Sequence, residues 1–102
     1  MTTLTIAAIG VPWYSREGYP RILEIMEDAG TLPPSYDEWL GRTEDVVQQC
    51  REKGLAVIHA DIEPRFFLAW CQQRRRQADA LARRDFANSV ALVSISRNAG
   101  SA

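Results

Sequence analysis

Two stretches of this chain read as β-strands, and the scarcity of strands is what most constrains the fold. "LTIAAIGV" (Leu4 to Val11) is a short apolar run bounded by Thr and by Gly10 and Pro12; "LAVIHADI" (Leu55 to Ile62) is the second. Short apolar runs between turn residues suit buried strands. Two strands are too few for an independent sheet. They need helices packed on them, or strands from a second copy joined along their edges.

The helices between and after them carry their own start and stop signals. Ser15 offers a side-chain oxygen to a following helix. Tyr19, Ile22, Leu23 and Met26 recur at helical spacing, and Gly30 lies near the stop. Pro20 is acceptable only in a first turn, which moves the start toward Tyr19. After the double proline at 33 and 34, Ser35 and Glu38 form a capping-box pattern. An apolar stripe of Tyr36, Trp39, Leu40, Thr43, Val46, Val47 and Cys50 follows it, and Gly54 suits a left-handed stop. The third helix starts near Pro64, with Phe66, Phe67, Leu68, Ala69, Trp70 and Cys71 making it apolar on nearly every side. Such a start is expected to be buried on several sides. Asp79 can cap a fourth helix carrying Leu81, Phe86, Val90 and Val93. Its continuation "VALVSIS" has β-branched content that suits a strand as well; the helical reading is adopted.

The expected fold is therefore a small α+β domain over residues 1–97, ordered strand-helix-helix-strand-helix-helix, with residues 98–102 as a loose tail. The halves share an outline: Pro20 and Pro64, and Ser35 and Asp79, stand at the same offset of 44, though identity is otherwise thin. No apolar run approaches the ~20 residues that span a bilayer, and the N-terminus has no basic start of a signal peptide. Two cysteines at unrelated positions are no disulfide framework. Cys50 and Cys71 fall on apolar stripes, where free, shielded thiols belong, and a cytoplasmic location is expected. The net charge of −1 hides an asymmetry: residues 1–50 carry −5 and residues 51–102 carry +4. Opposite halves can neutralise each other within one chain or attract between copies.

"AVIHADIEPRFFLAWC" holds the only histidine, His59, and with it Asp61, Glu63 and Cys71. Alternation along a strand puts Leu55, Val57, His59 and Asp61 on one face. His59 and Asp61 could orient an imidazole or share a metal, and Cys71 would be the natural nucleophile with His59 as base. The plainer reading is stronger. Carboxylates before Pro64 cap a helix and oppose its dipole, and Cys71 beside Trp70 has the setting of an inert buried thiol. A third metal ligand would have to come from elsewhere, so no metal or other cofactor is expected. Trp13, Tyr14 and Arg16, where the first strand ends, form a candidate ligand pocket, because loops after α/β strands are usual ligand positions. Arg74, Arg75, Arg76, Arg83 and Arg84 form a basic cluster that could attract phosphate. The overall acidity and the absence of a nucleic-acid motif weigh against nucleic acid as a partner. Glycine-rich phosphate loops, zinc-protease helices, nucleophile elbows and paired Cys-x-x-Cys are all missing from the sequence.

"YPRILEIMED", "LPPSYDEWL", "EPRFFLAWC" and "DFAN" together resemble a family of short bacterial proteins of unknown function. The resemblance runs from about Trp13 to Asn88 and implies a compact cytoplasmic bacterial domain. It supplies no activity, cofactor or functional residue.

The function expected from these residues is binding or self-association, as a homodimer, without evident catalytic machinery. The alternative is a small enzyme or ligand-binding domain using a pocket at the strand ends near Trp13, Tyr14, His59 and Asp61. The capping pattern and the stripe place Trp39 in the core. Trp39→Ala is expected to cost about 3–5 kcal/mol, as other large-to-small core changes do, measured as a lowered midpoint in urea unfolding.

Overall fold

The computed structural model describes residues 8–100, with side chains as far as Val93. Strand β1 (Ala8–Trp13) is followed by helix α1 (Tyr19–Ile25), a single 3-10 turn (Ala29–Thr31) and helix α2 (Tyr36–Glu52). Strand β2 (Ala56–Asp61) leads into α3 (Pro64–Gln73) and the long α4 (Ala80–Gly100). The result is a small α+β domain with two short strands packed by helices. The strands run parallel, with Ala8 beside Ala56 and Trp13 beside Asp61, and the helical segment between them supplies the long crossover that parallel neighbours need. Leu4 to Ala7, read as the start of the first strand, lie outside the described residues, as do Ser101 and Ala102. The stretch "VALVSIS" is helical, within α4.

Most helix boundaries follow from local chemistry. The Ser35 hydroxyl accepts the Glu38 amide at 3.2 Å, Glu63 accepts the Phe66 amide at 2.8 Å, and Asp79 accepts the Ala82 amide at 2.9 Å. Each satisfies an amide that the helix leaves without an internal partner. Pro20 and Pro64 occupy first-turn positions. Gly54 follows α2 with φ +82°, a left-handed conformation that costs glycine little. After α3, Arg75 takes φ 53°.

The sheet lies between α2 and α4. Val57 and His59 share a face with Val11 and Trp13, and α2 packs over it; Gly10 and Ala60 face α4. On that side the backbones nearly touch. A Cβ built on Gly10 would stand 2.1 Å from the Ala87 carbonyl oxygen. The buried face of α4 is accordingly made of Ala82, Ala87 and Ala91, with Arg83 among them. Of the larger apolar residues expected to anchor this helix, Phe86 packs against the core and Val90 is half-buried, but Leu81 and Val93 are exposed. A second core lies beyond the strand ends, where Tyr14, Tyr19, Ile22, Met26, Trp39, Ile62, Phe67 and Cys71 are buried together. The Tyr19 hydroxyl donates to the Pro33 carbonyl there.

Two burial expectations need correction. The start of α3 is buried on one side only, through Phe67 and Cys71; Phe66 is 76% exposed and Ala69 is exposed. On α2, Trp39 and Val47 are buried, but Val46 is exposed and Leu40 and Cys50 are half-buried. The stripes are wider than the surfaces that cover them.

Gly10→Ala tests the close approach of β1 and α4. The added methyl meets main chain, which cannot swing aside as a side chain can, so a loss of about 3 kcal/mol is expected, the upper end for overpacking. Thermal unfolding of the variant is the measurement; an unchanged midpoint would show that α4 does not lie flush on the strand.

Candidate functional site

The ends of the two strands bring together some of the residues singled out in the sequence. Trp13 closes β1 and Asp61 closes β2, side by side in register. The His59 ring stacks on the Trp13 indole, centroids 3.8 Å apart and planes 7° from parallel. Trp13 in turn meets Trp39 edge-on at 5.3 Å, a favoured geometry for aromatic pairs. Trp13 and His59 line a hollow of about 280 Å³ with Glu44, Val47, Gln48 and Arg51 of α2. Asp61 opens into a different hollow, with Trp13, Ser15, Gly18, Ile62, Glu63 and Pro64. No hydrogen bond among the described residues joins His59 to Asp61 or to Cys71. Cys71 is 1% exposed in the core cluster, and burial pushes its thiol upward in pKa, away from the thiolate a nucleophile needs. Among the described residues no three His, Cys, Asp or Glu side chains gather as metal ligands would.

Tyr14 and Arg16 diverge from Trp13. Arg16 lies on the surface, paired with Asp37 at 2.7 Å and poised 4.7 Å from the centre of the Tyr36 ring. Tyr14 turns inward against Tyr19 and Trp39 and is 3% exposed. Tyr14, His59 and Asp61 thus line different hollows, with Trp13 shared between one lined by His59 and one lined by Asp61.

The basic cluster also divides. Arg74 and Arg76 lie over the Trp70 ring, at 4.3 and 5.5 Å from its centre. Arg76 and Arg84 both reach Asp85, at 3.0 and 3.3 Å. Arg83 leaves the surface altogether. It is 7% exposed and grips Asp28 through both terminal nitrogens, at 2.7 and 2.9 Å, the bidentate geometry in which arginine pairs most strongly. Sequence reading placed Arg83 with its basic neighbours. The usable signal was its phase: Arg83, Ala87 and Ala91 are spaced four apart, on the stripe of small residues that packs on the sheet.

The Arg83 hydrogen bonds hold the Asp28 carboxyl below its ordinary pKa, against the opposing effect of its partial burial. A carboxyl whose pKa is lower folded than unfolded adds stability above the unfolded value of ~3.9, and that stability is lost as pH falls through the folded value. Asp28→Asn is therefore expected to cost roughly 3 kcal/mol at neutral pH, as breaking one side of a buried pair does. The deficit relative to the native chain should shrink below about pH 4. Urea unfolding at pH 7 and pH 3 checks both; an equal deficit at the two values would remove the charge from the explanation.

No family model matches the chain, and neither a curated protein nor a solved structure is found to be similar to it, so its function is argued from its own geometry.

Proposed function

We propose that this protein acts by self-association, as a homodimer whose two β2 strands pair edge to edge. The observation that carries this reading is an asymmetry between the two sheet edges. The Ile62 amide donates to the Trp13 carbonyl at 2.8 Å. By alternation, Ile9, Val11 and Trp13 turn their backbone groups toward β2, and Gly10 and Pro12 turn theirs outward. Pro12 has no amide to offer, and the Gly10 amide reaches Asn88 Oδ1 of α4 at 3.4 Å. Both are devices that blunt an edge. On β2 the outward residues are Val57, His59 and Asp61. Their backbone groups have no protein partner among the described residues, which is the template a further strand uses.

A second copy fits this edge in an antiparallel two-fold arrangement, which extends two strands to four. One register sets His59 opposite the partner's Asp61, and the reverse, with Ala60 beside its own counterpart. It pairs complementary side chains twice. The exposed Phe66 shares a surface hollow with Asp61, Trp70 and Phe86, which supplies apolar area next to the edge. A catalytic reading has less support, because Tyr14, His59 and Asp61 open into different hollows. No helix among the described residues is long and apolar enough to cross a membrane, in keeping with a cytoplasmic setting.

Amide hydrogen exchange tests the edge directly. Ile58 and Ala60, bonded to β1, should be protected at every concentration. Val57, His59 and Asp61 should become protected only as concentration rises, in step with a dimer mass by light scattering. Phe66→Asp, at an exposed position the fold does not need, should weaken the dimer at least tenfold, about 1.4 kcal/mol. A monomer with unprotected outward amides at millimolar protein would overturn the proposal.

A further inference from the structure

The other edge of the sheet holds a cavity that self-association leaves untouched. It is an open depression of about 210 Å³ where β1 faces α2 and α4, bordered by Val11, Pro12, Leu32, Trp39 and Val46. Its polar lining consists of Tyr14, Arg42, Thr43 and Arg83, with no acidic side chain. Tyr14 is 3% exposed, and its hydroxyl has no hydrogen-bond partner among the described residues. It is also absent from the side-chain polar atoms sealed from solvent without a partner, of which the described residues have none. The hydroxyl, neither bonded to another described residue nor sealed, is open to solvent, and Tyr14 is one of the residues lining the cavity.

We infer that this cavity is a binding site for a small carboxylate with a compact apolar or aromatic body. The Tyr14 hydroxyl, without a protein partner among the described residues, is free to donate to an acceptor that displaces the solvent it meets. Burial drives the Tyr14 pKa up to about 12, which keeps the proton on the oxygen. Arg42 stands exposed at the rim, with no ion pair among the described residues. Arg83 spends one hydrogen on each terminal nitrogen for Asp28 and has three more N–H groups. Asp28 balances the Arg83 charge without lining the cavity, so Arg42 supplies the net attraction. The volume falls below the ~300–1,000 Å³ of sites for drug-sized ligands, which sets the ligand near the size of a single substituted ring.

Benzoate is the probe, titrated into the full chain and followed by saturation-transfer NMR and by tryptophan fluorescence, since Trp39 lines the wall. Benzamide, of the same shape without the charge, is the comparison. Benzoate should saturate below about 10 mM and bind at least tenfold tighter than benzamide. Tyr14→Phe, which keeps the ring packing, should weaken benzoate roughly tenfold, the scale of one hydrogen bond to a charged group. Arg42→Gln, on the surface, should weaken benzoate and leave benzamide unchanged. Equal binding of the two probes, unaltered benzoate binding by Tyr14→Phe, or no saturation of benzoate would each overturn the inference.

Discussion

The contact between Gly10 and the Ala87 carbonyl is what the rest of the structure depends on. A sheet of two short strands has little cohesion of its own, so its order must come from the elements lying on it. With glycine in the strand and alanines at 82, 87 and 91, α4 approaches until main chain meets main chain. Dispersion falls off steeply with separation, so surfaces of glycine and alanine make their contacts only when the layers approach until no gap is left. That approach has two further consequences. It brings Asn88 within reach of the outward amide of Gly10. It also carries Arg83 inward to Asp28, tying α4 to the segment after α1.

What was legible in the sequence was the chemistry that acts over three or four residues. Ser35, Glu63 and Asp79 cap helices because a side-chain oxygen reaches an amide three positions on, whatever the surroundings. Pro20 and Pro64 mark first turns for an equally local reason. Distant partners were not legible. Pro12 reads as a strand terminator, yet it sits inside β1 because its ring nitrogen faces the outer edge, where no ladder bond is forfeited. Phe66 reads as core because it is large and apolar; its exposure depends on which side of α3 meets α1 and α4. Of the candidate site, the shared face of Val57 and His59 follows from strand alternation. The stacking of His59 on Trp13 needs the parallel register as well, and no pattern in either strand specifies one register over its neighbours.

The charge asymmetry of the chain changes meaning once the ion pairs are placed. Arg83 with Asp28 is the one pair among the described residues that joins the acidic first half to the basic second half. The others, such as Arg16 with Asp37 and Arg76 with Asp85, stay within a half. Folding thus neutralises the asymmetry at one buried point and leaves most of it on the surface, with acidic residues along α2 and arginines around the start of α4.

That distribution bears on how two copies would meet. An antiparallel pairing of β2 with its counterpart in one continuous sheet has its two-fold axis perpendicular to the sheet. Each face of one copy then continues into the same face of the other, and α2 comes beside α2. Opposite halves are not brought together; like meets like. Such a dimer draws nothing from the long-range field and has to overcome it, since like charges brought near each other repel until salt screens them. Its cohesion comes from short-range terms instead: the backbone bonds of Val57, His59 and Asp61, the two crossed pairs of His59 with Asp61, and the apolar area around Phe66. These are contributions of the open β2 edge, and the β1 edge, blunted by Pro12 and Asn88, has none of them to offer.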